Sequence, residues 1–591
     1  MPFLKKSLFA RGVPALLVMA ACAVASPADA ARNLAQRASA VSPFPPADSL
    51  EGNFLAAYIA GASRDTAAAA SYYRETLKAD PRNPELVERA FVSFLADGSM
   101  QEAFRLAERV VARDGANGLA HLALGVKFVK AKQYATARTH LAKGGRGRAA
   151  DLTATLIAAW AWAGSGDGKK ALETVDKLKG ERAYTVFRDY HAGLIAETVG
   201  NIPEAEKRLK TAYEAERNTL RIVDAYARLQ ARRGQKEAAL ATYTGFENIL
   251  PRHPIVREAF EALRSNRPLN AMVGSPQEGA AEVLYGLGAA GNSQGDELPA
   301  IVYLRLALYL NPDHPLALIT LADIFERLKQ LDRANEVFSR IPETSPIRAT
   351  AEIQIGLNLE QMGKGEEAVK HLEALLQKRP DDIEVMMALG NVYRSRKKWL
   401  EAAETYSRAI DRIGTPDRSH WNILYYRGSA YERGKQWGKA EADLKKALEL
   451  VPDALPSAKA QVLNYLAYSW VDQAINIDDA FKMLKRAVEL SPRDGMIIDS
   501  LGWAYYRLGQ YDEAVRELEK AVELKPGDPV INDHLGDAYW KVGRHLEARF
   551  QWQHAKDSNP EPDDLPVIVK KLEKGLDEPP KAESALHKNG G

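Results

Sequence analysis

The chain has 591 residues, 46% hydrophobic and 27% charged, with 80 Lys and Arg against 78 Asp and Glu for a net charge of +2. That length exceeds one hydrophobic core and requires several domains or one long repeat array, while the charge balance excludes the concentrated basic face of a nucleic-acid binder. A single cysteine excludes an intrachain disulfide and any cysteine-built metal site.

The N-terminus places Lys5, Lys6 and Arg11 ahead of an apolar run from Val13 to Ala25 and then small residues. Such a run is too short to cross a bilayer as a helix and reads as a secretory signal peptide. Two processing chemistries stay open. Ala28-Asp29-Ala30 is an A-x-A site that releases a soluble periplasmic protein, and "MAAC", Met19 to Cys22, is a lipobox that attaches Cys22 to lipid at the outer membrane. The proline-rich stretch that follows, near "AVSPFPPADS", reads as a flexible linker.

From Glu51 onward one pattern recurs. Positions Ala56, Ala90, Leu124, Ala158, Ala192 and Tyr226 follow at 34-residue steps, as do Leu287, Leu321, Ile355 and Leu389 after a step of 61. An alanine keeps a fixed offset from each, at Ala69, Ala103, Ala137, Ala171, Ala205 and Ala239, then at Ala300, Ala334, Ala368 and Ala402. The spacing lengthens to 38, 39 and 35 residues through Arg427 and Leu466, and returns to 34 between Leu501 and Leu535, giving fourteen repeats. The boundaries so read are a signal peptide over 1–30, a linker over 31–50, a first array over 51–265 and an irregular junction over 266–280. A second array follows over 281–560, then a capping helix over 561–577 and a disordered tail over 578–591. In the cap, Leu565, Ile568, Leu572 and Leu576 fall on one face and Lys570, Lys571 and Lys574 away from it.

The stretch Ser500 to Pro529 shows the template most clearly: Leu501, Gly502, Tyr505, Ala514, Leu518, Ala521 and Pro526 return 34 residues later as Leu535, Gly536, Tyr539, Ala548, Trp552, Ala555 and Pro560. Gly502 and Ala514 are small where two helices cross, Tyr505 and Leu518 fill the space beside the crossing, and Pro526 ends the second helix. A 34-residue period with this pattern resembles the tetratricopeptide repeat. The resemblance implies an all-α, right-handed α-solenoid of helix-turn-helix repeats, here in two sub-arrays with a C-terminal capping helix.

No catalytic or cofactor signature survives scrutiny. "GLGAAG", Gly286 to Gly291, matches a dinucleotide-binding motif in letters, but lies inside a repeat helix where Gly288 occupies the close-packing place. "GSGDGKK", Gly164 to Lys170, is a turn between helices, and His534, His545 and His554 have no metal-ligand spacing and read as surface or capping residues. No cofactor and no enzymatic activity are expected.

In tetratricopeptide arrays the first helix of each repeat lines a concave groove, two before, two after and five to six after the leucine. Those places select Tyr425, Asn464, Tyr468, Asp499, Trp503, Tyr506, Arg507, Asp533, Asp537 and Trp540 as a peptide-binding groove. Trp, Tyr and Arg carry much of the energy of interfaces, although Trp503 and Tyr506 are equally read as packing against the next repeat. The acidic places, Asp499, Asp533 and Asp537, oppose a clamp for a partner's terminal carboxylate and favour extended, basic or aromatic-rich guests.

The C-terminal quarter, with its longer repeat around Asn464 to Glu489 and the ending "GDAYWKVGRHLEARFQW", resembles bacterial outer-membrane tetratricopeptide lipoproteins that serve as adaptors for carboxyl-terminal processing proteases. That resemblance implies an exported, non-enzymatic scaffold whose partners are a periplasmic protease and its substrates, with membrane contact only through a lipid on Cys22. The alternative is an envelope-biogenesis scaffold in lipopolysaccharide or cell-wall assembly. A glycosyltransferase fused to repeats would need a catalytic domain for which the repeats leave no room.

Overall fold

The computed structural model describes residues 45–47, 49–144, 148–180, 182–295 and 297–576. The signal segment, Cys22, most of the linker and the C-terminal tail lie outside the described residues. Among the described residues there are thirty helices and no strand, in two compact units that divide at Pro380/Asp381.

The first unit begins with six helical hairpins: α1 (Leu50–Ala62) with α2 (Thr66–Ala79), α3 (Pro84–Asp97) with α4 (Met100–Arg113), and α5 (Gly118–Lys130) with α6 (Tyr134–Gly144). The other three are α7 (Arg148–Gly164) with α8 (Gly168–Val175), α9 (Arg182–Thr198) with α10 (Ile202–Ala215), and α11 (Leu220–Arg232) with α12 (Lys236–Glu247). The lone helix α13 (Pro254–Arg264) ends this series. Three more hairpins complete the unit: α14 (Pro276–Gln294) with α15 (Glu297–Leu310), α16 (Pro315–Arg327) with α17 (Leu331–Ser339), and α18 (Arg348–Gln361) with α19 (Gly365–Lys378).

The second unit has five hairpins and a final helix. They are α20 (Ile383–Ser395) with α21 (Trp399–Ile413), α22 (Trp421–Arg433) with α23 (Trp437–Leu450), and α24 (Pro456–Asp472) with α25 (Ile477–Leu490). Then come α26 (Gly495–Arg507) with α27 (Tyr511–Leu524), α28 (Pro529–Lys541) with α29 (His545–Asp557), and the cap α30 (Leu565–Lys574).

The fourteen repeats can be counted from the backbone. Each hairpin turns through a residue of left-handed conformation: Arg64, Gly98, Lys132, Gly166, Gly200 and Gly234, then Gly295, Lys329, Gly363, Lys397, Lys435, Ala474 (followed by a second, Asn476), Gly509 and Gly543. Glycine takes this conformation without steric cost, so the lysines at four of these places are held there by the hairpin they close. Side-chain caps start many of the helices, as where Asn83 accepts from the amides of Glu85 and Leu86 and Asp528 from those of Val530 and Ile531. The crossing inside a hairpin is as close as the small residues imply, since a Cβ on Gly502 would stand 2.6 Å from Leu518.

The division of the chain differs from the one expected. An irregular link joins α13 and α14 over 265–275, with 276–280 already in α14, but the link does not separate two bodies. The hairpin α14–α15 instead folds back onto α3, α5, α7 and α9, the first helices of the second to fifth repeats. One continuous core therefore runs from Ala57 to Ala351. Small residues make the approach possible: a Cβ on Gly279 would lie 2.3 Å from the Trp160 ring, and one on Gly286 2.8 Å from Phe187. Polar contacts fasten the same hairpin, with Lys130 Nζ donating to the Leu310 carbonyl at 2.8 Å and Gln277 Nε2 to that of Val129 at 3.1 Å.

A buried charge joins α14 to α9, to α11 and to the N-cap of α16. Glu282 accepts from Arg221 Nε at 2.8 Å and Nη2 at 2.5 Å and from the Tyr190 hydroxyl at 2.9 Å, with His314 Nε2 at 3.1 Å. Burial opposes the carboxylate charge, but Arg221 and His314 hold its pKa well below the ordinary value. Beside it, burial pushes the His191 pKa down to about 3, and neither of its ring nitrogens has a hydrogen-bond partner among the described residues. The unexpected fold-back is directly testable. Gly279→Leu forces a side chain into Trp160 and should cost about 1–3 kcal/mol, read as a lower thermal midpoint and faster protease cleavage within 265–275 than in the native chain.

Candidate functional site

In the first unit the concave face of α3, α5, α7 and α9 is covered by the chain's own hairpin, so the groove places to follow are those of the second. There α24 carries Asn464 and Tyr468, α26 carries Asp499, Trp503, Tyr506 and Arg507, and α28 carries Asp533, Asp537 and Trp540, each helix packing on the next. Trp503 is the centre of a three-ring stack. It lies 4.7 Å from Tyr506 at 9° and 4.0 Å from His534 at 13°. Its indole Nε1 and the Asn464 Oδ1 are both buried without a hydrogen-bond partner among the described residues. Burial, and then the Asp499 charge, raise the Tyr468 hydroxyl pKa; burial and Asp537 do the same for Tyr506.

Several expected groove residues prove to be engaged elsewhere. Asp499 is 3% exposed and its carboxylate sits 2.9 Å from Nδ1 of His534, a residue expected at the surface and found buried. Asp537 is 5% exposed, accepts from Trp552 Nε1 at 2.9 Å, and shares with Asp533 the ammonium of Lys571. Lys571 was expected on the outer face of the cap and instead turns inward, because two carboxylates that face one another across a helix turn need a counter-charge. Leu565, expected on the apolar face, is exposed, whereas Ile568 is buried with Leu572 and Leu576 packed beside it. The acidic places therefore do not present bare negative charge to a guest.

Trp540 is covered too. It stacks on His545 at 4.1 Å, and Gly575, left-handed at φ +72°, lies so close that a Cβ there would stand 2.0 Å from the indole. Arg507 points outward and pairs with Asp472 at 3.6 Å. Tyr425 is tied into a cluster with Trp421, Tyr426 and Tyr465, and burial raises its pKa to about 12. The residues that remain together on the groove are Asn464, Tyr468, Trp503 and Tyr506. Sequence spacing missed His534 and Lys571, since neither falls at a groove place; only the unbalanced cluster of aspartates hinted at them.

The remaining motifs are structural. Gly286 to Gly291 lie in the interior of α14, where a Cβ on Gly288 would meet Leu304 at 2.8 Å, and Asp167 of "GSGDGKK" caps α8 through the Lys170 amide. An open cleft of about 300 Å³ between α10, α11 and α12 has its polar groups engaged, with Arg217 over the Tyr213 ring at 5.5 Å and Thr242 donating to Gln230 at 2.8 Å. Among the described residues no group of three or more His, Cys, Asp and Glu is placed to hold a metal, and no helix is long and apolar enough to cross a membrane.

Hairpins stacked at a 34-residue period, with an aromatic concave face, define a helical-repeat scaffold. It is an all-α solenoid of tetratricopeptide repeats, and the family comparisons agree: a "TPR repeat" model matches residues 502–543 and a "Tetratricopeptide repeat" model matches 54–118 and 353–418. The chain is 28% identical over 153 residues to TPR repeat-containing protein PA4667 of Pseudomonas aeruginosa, covering 25% of this chain and 24% of that one. It is 26% identical over 237 residues to the human Superkiller complex protein 3, covering 39% and 14% respectively. The matched part thus spans less than a quarter of the length of either relative. Among solved structures it is similar to the APC/C hetero-tetramer Cut9–Hcn1, at 15% identity over 90% of this chain and 97% of that one with a TM-score of 0.36. A tetratricopeptide repeat protein from Parabacteroides merdae matches at 17% identity, 50% and 98% coverage, and a TM-score of 0.33.

The pair beneath the ring stack carries a pH dependence. Burial lowers the His534 pKa, but Asp499, then Asp533 and Asp537, outweigh it and leave the value above the ordinary 6.5. A group whose folded pKa is raised stabilises fully below its unfolded value and loses that contribution as pH rises through the folded value. The charged pair should contribute about 1.5–3 kcal/mol below pH 6.5. Thermal midpoints of the native chain should fall relative to His534→Gln as pH climbs through the raised His534 pKa; parallel curves would remove the charge from His534.

Proposed function

We propose that this protein is a non-enzymatic adaptor of the bacterial cell envelope, which holds peptide segments along α24 and α26 and delivers them to a carboxyl-terminal processing protease. Tetratricopeptide arrays bind protein partners. The observation that carries the reading is the contrast between the two concave faces. One is filled by α14–α15, while the other keeps a Trp503–Tyr506 stack flanked by the unpartnered Trp503 Nε1 and Asn464 Oδ1. Those two polar atoms suit the amide groups of an extended peptide laid across the rings, since a buried polar atom without a partner costs free energy that a ligand can return. Export, the envelope location and the protease as partner rest on the N-terminal pattern and on the likeness of the C-terminal quarter to the outer-membrane adaptors. Cys22, if processed at the lipobox, supplies the anchor; cleavage after Ala30 leaves the adaptor free in the periplasm.

Capture of the exported full chain from envelope extracts after mild crosslinking should recover a carboxyl-terminal processing protease. The double variant Trp503→Ala, Tyr506→Ala should lower the yield about 30-fold, as expected if the stacked pair together is worth about 2 kcal/mol. Absence of any processing protease would refute the adaptor role, and recovery of lipopolysaccharide-synthesis enzymes would favour the envelope-biogenesis reading. Palmitate incorporation into the same preparation, lost in Cys22→Ser, distinguishes the anchored form from the free one.

A further inference from the structure

The surroundings of Lys571 have the form of a bound cation. Its Nζ lies 2.6 Å from Asp533 Oδ2 and 2.8 and 2.9 Å from the two oxygens of Asp537, and its side chain is 13% exposed. Trp552 Nε1 adds a further donor to Asp537 Oδ1. His534, the other cation near these aspartates, is spent on Asp499. Lys571 thus answers two carboxylates alone, and Asp533 Oδ1 is left buried with no partner among the described residues. Asp537 reflects the shortfall: burial raises its pKa, Lys571 pulls it back, Asp533 adds to the rise, and the net direction is upward.

An ammonium has three protons, and that of Lys571 donates one hydrogen bond to Asp533 and one to Asp537, with the second Asp537 oxygen at ion-pair distance. A guanidinium presents five N–H groups in a planar fork that matches paired carboxylates and would reach the oxygen Lys571 leaves alone. Apart from Lys571 itself, the element is held by few groups. Of the residues in α30 only Ile568 is buried, with Leu572 and Leu576 packed beside it and Arg549 donating to the Leu572 carbonyl, while Leu565 and Val567 are exposed, and the link before it is fastened by an exposed Glu561–Lys397 pair at 2.7 Å, of a kind worth little. Terminal elements with few buried contacts open at low free-energy cost. Departure of α30 would also remove Gly575 from Trp540, whose ring already stacks on His545 at 4.1 Å and has the Arg549 guanidinium at 5.7 Å, and widen the indole surface beside the aspartates, on which a guanidinium stacks favourably.

We propose that Asp533 and Asp537, with Trp540, form an arginine-accepting subsite at the C-terminal end of the groove, occupied in the free protein by Lys571 and taken by an arginine-bearing segment of a partner when α30 leaves. This rests on the reading of the second unit as a peptide groove and names the chemistry of one end of the guest. The test is a fluorescence-anisotropy titration of a labelled peptide of residues 565–576 carrying Lys571→Arg against three full-length proteins: native, Lys571→Ala and Lys571→Arg.

The peptide should bind Lys571→Ala at least about tenfold more tightly than the native chain, the equivalent of ~1.4 kcal/mol. It should bind Lys571→Arg no better than native, since the stronger internal occupant competes. Adding Asp533→Asn to Lys571→Ala should erase the gain, which a merely loosened cap would retain. Equal affinity for native and Lys571→Ala, or a peptide with alanine at position 571 binding as well as the arginine form, overturns the proposal. Neither outcome alters protease capture through Trp503, so failure of the subsite and failure of the adaptor reading are separable.

Discussion

A helical hairpin of this sequence buries one face against its own partner helix and must find cover for the other, because no repeat holds enough apolar surface to be stable alone. Everything else in the molecule follows from how that cover is supplied. Along the stack it comes from the next hairpin. On the concave side of the second to fifth repeats it comes from α14–α15, whose Gly279 and Gly286 let the helix lie flush on Trp160 and Phe187. The result is a unit whose inner face belongs to its own core, with Glu282 and Arg221 buried together where a guest would otherwise lie.

The second unit solves the same problem differently. Its repeats cover one another, its last hairpin is closed by α30, and its polar groove residues are balanced in pairs: Asp499 with His534, and Asp533 and Asp537 with Lys571. A buried charge persists only where a partner is at hand. In the free protein this pairing covers the acidic residues and leaves aromatic surface, Trp503, Tyr506 and Tyr468, with isolated polar atoms between. Such a surface suits the peptide-holding role proposed for it, with affinity from rings and orientation from a few hydrogen bonds.

Much of this was legible in the residues. The 34-residue period gave the hairpins because side chains at a helix crossing have to be small, so Gly502 and Ala514 carry the pattern wherever the stack continues. The lengthened spacings through Arg427 and Leu466 proved to be longer helices and turns within the same architecture, as α24 and its Ala474 turn show. The fold-back of α14–α15 was not legible, since periodicity tells which face of a helix is apolar but not what lies across from it. For the same reason Lys571 was assigned outward: its place opposite Asp533 and Asp537 depends on the angle at which α30 closes the stack, a tertiary property that no local spacing records. The candidate groove residues lie on the first helices of their hairpins, yet which of them are covered depends on His534, Lys571 and Gly575, all from outside the groove pattern.

The central claim is that the two concave faces have different fates, one filled by the chain itself and one left for guests. A photocrosslinking amino acid placed in turn at Tyr506 of α26 and at Phe187 of α9, which lies against Gly286 of α14, in the full chain exposed to envelope extract, tests it most directly. Discrete adducts with a partner protein from position 506, and none from position 187, are the outcome this account predicts. Adducts of the same partner from position 187 would contradict it, because they would mean that the face occupied by α14–α15 opens to guests.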